Sequence, residues 1–273
     1  MRPPQRMKPS ALRGKPVPMA TQDRRGGLDP HALRPVTIIP GFHTMAEGSV
    51  LYQCGKTKVL CTASVDEKVP DWMKGKGKGW LTAEYQMHPR ANPNKRDRRD
   101  GRERPLGGRT REIQRLIGRT LRAAVDMKKL GERCIVIDCD VLEADGGTRT
   151  ASITGGFIAL CLALDKITKE GRLKKPALLD QIAAISVGHV DGSLALDLCY
   201  AEDSNARVDL NIVATKEGNI VEIQGTAEGR AVPRADIDAM TDLGLIGISN
   251  LALLQEEALK KGGVVLSDLV IPS

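Results

Sequence analysis

The sequence predicts a mixed α/β chain, of the α+β kind, in which helices cover a mixed, largely antiparallel sheet. Three observations carry that expectation. Two strand–turn–strand patterns lie late in the chain, one turning at Asp191-Gly192 and one near Glu217-Gly218-Asn219, so their strands pair antiparallel. Long segments with helical character lie near residues 110–131 and over residues 234–261. The order runs strands, helix, strand, helix, paired hairpins, helix, which favours helices packed over a sheet.

Residues 1–21 are basic, rich in proline and poor in acids, without the apolar core of a secretory signal; a disordered tail is expected there. "GSVLYQCGKTKVLCTASV" alternates apolar and polar residues around "CGKT" and reads as a hairpin. "MKGKGKGWLTAEYQMHPR" is glycine- and lysine-rich, then strand-like. Residues 91–108 hold almost no apolar side chain and read as a long mobile loop, of the kind usually functional or disordered. In "TREIQRLIGRTLRAAVDMKKLG", Ile113, Leu116, Ile117, Leu121, Ala124 and Val125 form an apolar stripe at helical spacing. Arg111, Arg115, Arg119 and Arg122 fall opposite it, on a face expected to be solvated, and Gly131 is expected to end the helix. "CIVIDCDVLEAD" is a β-branched strand, and residues 152–164 suit a buried helix of small apolar side chains. The two late hairpins and the helix over residues 234–261 follow.

A chain of 273 residues, 41% hydrophobic and 27% charged, can bury a full core. No run of consecutive residues approaches the roughly 18 apolar side chains of a membrane span. The six cysteines contain no C-x-x-C pair and mostly lie in apolar strand-like runs, so buried free thiols in a reducing cytoplasm are expected. The four histidines are far apart and offer neither a zinc spacing nor a catalytic base. The net charge is +7, and it is unevenly spread. Between Arg90 and Arg122 twelve Lys and Arg face four acids, a surplus of +8 that reads as a docking surface for a polyanion.

Three stretches could carry chemistry. In "EADGGTRTAS" two glycines permit a tight turn before a helix start, whose outward amides and dipole favour an anion. Thr148, Thr150 and Ser152 add hydroxyls there, and Arg149 adds a planar donor fork suited to phosphate. A glycine-rich capped turn fits the same residues. "PLGGRTREIQ" repeats the pattern, placing Arg109 at or just before a second helix start. In "YAEDSNARVDLN" Glu202, Asp203 and Asp209 flank a bend, across which Asp203 and Asp209 could converge on Mg²⁺ or Mn²⁺. Solvated turn acids would look the same.

"LRPVTI", "AEGSVL", "GKTKVLCTASV", "GKGKGWLTAEY", "GGRTREIQRLIGR", "DCDVLEADGGTRTASITG", "YAEDSNARVDLNIV" and "EIQGTAEG" together resemble the ribonuclease PH family. The resemblance covers residues 22–262 as one catalytic domain and leaves residues 1–21 and 263–273 as tails. It implies a phosphate-dependent 3′-to-5′ exoribonuclease that trims tRNA precursors and releases nucleoside diphosphates, reversibly. It implies phosphate held by Arg109, Gly147, Thr148 and Arg149, and a divalent cation, Mg²⁺ or Mn²⁺, held by Asp203 and Asp209. It implies RNA guided by a basic loop, in which Arg90 matches by position and Lys95, Arg96, Arg98 and Arg99 by charge. It further implies a homohexameric ring, a trimer of dimers; the lack of an apolar span separately leads to the expectation of no membrane partner. The residues support this independently: phosphorolysis needs anion sites and charge neutralisation rather than a nucleophilic side chain. With 3% aromatic residues, RNA would be held mainly by its backbone. A non-catalytic ring subunit would be expected to lack the arginines or the acid pair, and a hydrolytic nuclease to carry more metal-binding carboxylates.

Overall fold

The computed structural model describes residues 27–98 and 105–272. The tail expected over residues 1–21 and part of the basic loop, Arg99 included, lie outside them. The strands are β1 (Val36–Pro40), β2 (Gly48–Cys54), β3 (Thr57–Asp66), β4 (Trp80–Met87), β5 (Cys134–Glu143), β6 (Ile182–Val190), β7 (Ser193–Leu196), β8 (Val208–Thr215) and β9 (Ile220–Ala227). The helices are α1 (Gly108–Ala123), α2 (Met127–Leu130), α3 (Thr148–Lys169), α4 (Tyr200–Asp203) and α5 (Arg234–Lys261). The α/β class with largely antiparallel pairing is as expected, and the strands are divided between two sheets. One runs β1-β2-β3-β5-β4 and the other β7-β6-β8-β9. Among the described residues β4 on β5 is the one parallel strand pair.

The division follows from α3, which is apolar on nearly every side and must be covered on all of them. It packs on β2 and β3 of the first sheet and on β6 of the second. On the first side the approach is close: a Cβ at Gly48 would sit 2.0 Å from the Ala159 carbonyl oxygen. Along β6 the alternation of a strand serves two layers. Ile182 and Ala184 face the core around α3, while Ala183, Ile185 and Val187 face the one beneath α5. The buried Gln255 of α5 ties these layers, donating to the carbonyls of Thr154 and Ile182 at 3.1 Å each.

The helix predicted over residues 110–131 is broken. α1 stops at Ala123, because Val125 uses its backbone in a bridge to Leu178. Asp126 then caps the four-residue α2 by accepting from the amides of Lys128 and Lys129, and Gly131, at φ 70°, closes α2 rather than α1. Helix α3 begins at Thr148, four residues before the expected Ser152. The segment after α5 folds back, burying Val264 and Leu269 and bridging Val270 to Leu178. All six cysteines are free and buried.

Although no run of consecutive apolar residues reaches membrane-span length, α3 and α5 are long and apolar enough when averaged over a window. In α3 that window is 83% buried and forms the centre of the core. In α5 it is only 33% buried, and Ile246 and Leu253 stand exposed.

Candidate active site

A cleft of about 1220 Å³ opens where the two sheets meet, lined by the loop after β5, the starts of α1 and α3, and the segment from α4 into β8. Its floor is the turn between β5 and α3. Gly146 and Gly147 adopt φ of 76° and 64°, a region that strains any residue with a Cβ. At Gly146 a Cβ would also fall 2.4 Å from the Leu198 carbonyl oxygen, so the turn is pressed against the chain leading into α4. Gly147 caps α3 without a side chain, and the first-turn amides of a 22-residue helix face outward at the positive end of its dipole.

The row of hydroxyls expected along this turn reduces to one. Thr150 donates back to the Gly147 carbonyl at 2.9 Å, and the buried Ser152 donates to the Thr148 carbonyl at 2.8 Å. Because the helix starts earlier than expected, both side chains satisfy the backbone a turn behind them. Thr148 lines the cleft, its hydroxyl 2.9 Å from the phenol of Tyr85 on β4. Burial raises the Tyr85 phenol, while Thr148, Arg109 and Arg149 pull it back. The two arginines predicted from separate Gly-Gly-Arg-Thr motifs thus line one cleft. Arg109 is the second residue of α1 and exposed; Arg149 is the second of α3, with Glu112 of α1 3.6 Å from its guanidinium.

The acids converge on the same space. Asp203 ends α4, Asp209 lies on β8, and both line the cleft. Asp203 keeps an open face, yet its carboxyl is raised above the usual range, first by desolvation against the cleft wall and then by Asp209; Arg109 and Arg149 oppose the rise. Two carboxylates that repel across a gap suit a hard divalent cation, which would retain water or take substrate oxygens for its remaining positions. Among the described residues no cluster of three or more His, Cys, Asp or Glu side chains could hold a metal. Glu202, expected beside them, is buried and accepts from the Cys199 amide at 3.0 Å, so it caps α4.

Of the basic loop, Lys95 lines the cleft and pairs with Asp97 at 3.1 Å. Arg90, Arg96 and Arg98 are exposed and do not line it. Two of the arginines expected to be solvated on α1 also have structural partners, although Arg119 stays exposed. Arg119 pairs with Glu222 of β9, its Nε 2.9 Å from the carboxylate. Arg122 donates to the Leu81 carbonyl at 2.8 Å and lies 4.5 Å from the centre of the Trp80 ring.

Sequence reasoning missed Tyr85, Asp145, Ser186, Tyr200, Asn211 and Glu228. All but Tyr85 line the cleft, and Tyr85 lies just behind Thr148. Asp145 alone had a signal, standing at the head of the Asp-Gly-Gly turn.

Comparison with known proteins shows the family of the chain. The family model described as 3′ exoribonuclease family, domain 1, matches residues 32–164, and domain 2 of that family matches residues 180–247. The chain is 55% identical over 235 residues to a ribonuclease PH of Mycolicibacterium smegmatis, covering 86% of this chain and 90% of that protein. It is 52% identical over 238 residues to a ribonuclease PH of Crocosphaera subtropica, covering 87% and 98%. Among solved structures, an Archaeoglobus fulgidus exosome with RNA bound to the active site superposes with a TM-score of 0.66 at 22% identity, over 82% of this chain and 89% of that one. An archaeal exosome core gives 0.63 at 21% identity, over 85% and 89%. These two likenesses are of fold.

Proposed function

The chain belongs to the ribonuclease PH family of 3′ exoribonucleases, and we propose that the cleft between its sheets is where the family's reaction takes place. The activity is that of a phosphorolytic tRNA nucleotidyltransferase, a phosphate-dependent 3′-to-5′ exoribonuclease acting on tRNA. An oxygen of inorganic phosphate attacks the terminal phosphodiester, and the P–O bond to the preceding ribose breaks. The proton that phosphate gives up goes to the departing 3′-oxygen. A nucleoside diphosphate leaves, and the shortened RNA keeps a 3′-hydroxyl.

One observation carries the assignment of the site: two arginines from two helix starts and two carboxylates, one ending α4 and one on β8, share one cleft. Arg109 and Arg149 grip the attacking phosphate, with the amides at Gly147 and Thr148 at its back and the Thr148 hydroxyl oriented by Tyr85. Their charges then neutralise what develops on the oxygens as the bond breaks. Asp203 and Asp209 hold a divalent cation, Mg²⁺ or Mn²⁺, which when bound would neutralise phosphate oxygens. Lys95 at the cleft wall and the exposed Arg90, Arg96 and Arg98 lead the RNA backbone in, with Arg99 continuing the same run of sequence. The exposed Ile246 and Leu253 of α5, and Ile220 and Ile223 on the edge strand β9, support burial between copies of the chain in a hexameric ring. Six buried reduced thiols suit the cytoplasm.

The test is a tRNA precursor incubated with and without phosphate. Nucleoside diphosphates formed only with phosphate, and lost in Arg109 and Asp209 variants, are the expected result. Monophosphates formed without phosphate would refute the assignment. Native mass decides the ring.

A further inference from the structure

Arg34 precedes β1 and Asp197 follows β7, so the pair bridges the two sheets. Their side chains are 6% and 4% exposed. The Asp197 carboxylate accepts from the Arg34 fork at 2.7 and 3.0 Å, from the Arg34 amide at 2.9 Å, and from the Cys54 thiol at 3.0 Å. Asp197 is held at φ 56°, a left-handed conformation that a non-glycine residue keeps only when its surroundings over-determine it. A buried ion pair is a costly way to join two sheets that packing alone could join. Its geometry points to another use.

The remaining arm of Arg34 donates to the Asp145 carbonyl at 2.6 Å, at the head of the cleft-floor turn. Its Nη2 lies 3.2 Å from where a Cβ of Gly147 would stand, directly beneath the residue that caps α3. Thr57 grips the same turn, accepting from the Asp145 amide at 2.8 Å and donating to the Gly146 carbonyl at 2.7 Å. The Asp145 carboxylate in turn accepts from the Tyr200 amide at 3.3 Å, at the first residue of the helix that carries Asp203. Arg34 is thus joined to both walls of the cleft, while neither it nor Asp197 lines it.

We propose that Arg34 and Asp197 form a positioning clamp that fixes the Asp145–Arg149 turn against α4, and so sets the affinity for inorganic phosphate without touching it. The proposal rests on the phosphorolytic reading of the cleft. Arg34 is the positioning residue, and only a guanidinium can place two donors on Asp197 and a third on Asp145.

Arg34→Lys keeps the charge, but its single nitrogen cannot span Asp197 and the Asp145 carbonyl as the fork does; Thr57→Val removes the second grip with no buried charge changed. Both variants should raise the KM for phosphate, by about tenfold in Arg34→Lys and severalfold in Thr57→Val, with the KM for RNA unmoved. Calorimetric titration with inorganic phosphate should weaken in parallel. A purely structural role would lower the melting temperature and leave phosphate KM and binding at parental values, which overturns the clamp. Should Arg34→Lys fail to fold, Thr57→Val decides, and a parental phosphate KM there overturns it equally. A parent enzyme indifferent to phosphate would sink the underlying reading, and the clamp with it; unaltered variants of a phosphate-dependent parent sink the clamp alone.

Discussion

Replacing Arg149 with lysine leaves a positive charge at the start of α3 and removes the planar donor fork. The structure separates the two consequences. The pair with Glu112 is 3.6 Å long, beyond hydrogen-bond range, and its partners are 22% and 44% exposed. Such a pair contributes at most about 1 kcal/mol, so even its complete loss shifts the melting temperature of a chain this size by roughly 2–4 °C. Losing a preorganised donor aimed at the transferring phosphoryl group costs on the order of 3 kcal/mol, roughly a hundredfold in rate or more. The predicted signature is a large catalytic defect in a protein of nearly parental stability. The assay is a phosphate titration at saturating RNA, paired with polymerisation from nucleoside diphosphates. Both directions pass through one transition state and should fall together, while RNA binding holds. A lysine variant that titrates with phosphate like the parent would reduce Arg149 to part of a capped turn and leave the anion site to Arg109.

Asp203→Asn should abolish turnover and leave the fold slightly more stable near neutral pH, since it removes a carboxylate whose ionised form is disfavoured by desolvation and by Asp209. In the parent the folded state holds this proton more tightly than the unfolded state does. Its unfavourable contribution is therefore absent at low pH and grows as pH rises from the usual carboxylate range through the raised folded value. Melting curves taken from about pH 3 to 7 should show the variant's advantage widening with pH; a constant or reversed gap contradicts this. Changing Lys95, Arg96, Arg98 and Arg99 to alanine should weaken tRNA binding and flatten its salt dependence, by about one unit of slope for each phosphate no longer neutralised. Cleavage of a very short oligonucleotide should survive, and equal loss on both substrates would place the loop inside the chemistry. Gly146→Ala forces a Cβ against the Leu198 carbonyl at positive φ and should cost about 1–3 kcal/mol in thermal melts while removing activity. Parental stability and rate would show that the turn can shift.

The elements of this fold were legible wherever a local signal sufficed. The hairpin turns at Asp191-Gly192 and Gly218, and α5 at Arg234–Lys261, follow from turn chemistry and helix-forming composition. The break between α1 and α2 was not, because the stripe through Ala124 and Val125 continues to look helical while the backbone of Val125 is taken by Leu178, far along the chain. The parallel pairing of β4 with β5 is equally non-local, since neither strand's sequence names its neighbour. In the cleft, Arg109 and Arg149 are announced by charge beside a glycine turn, and Asp203 and Asp209 by charge at a bend; all four line it. Tyr85 is not announced, because an aromatic residue on a buried strand reads as core until Thr148 is seen 2.9 Å from its hydroxyl. Arg34 was missed for a related reason: "LRPVTI" shows an arginine before a strand, and its partner is 163 residues away.

Helix α3 is a beam shared by both sheets, with β2 and β3 bearing on one side and β6 on the other. A hinge requires a seam between two bodies, and here the seam is filled by the element whose first turn lines the cleft. The spacing of the two walls is therefore tied to the packing of the core around α3. With the walls so tied, advance along the RNA would fall to the RNA: after each diphosphate departs, the strand would slip forward until its new end met the same stops. The protein would then act as a gauge block, with an increment set by the repeat of the nucleic acid.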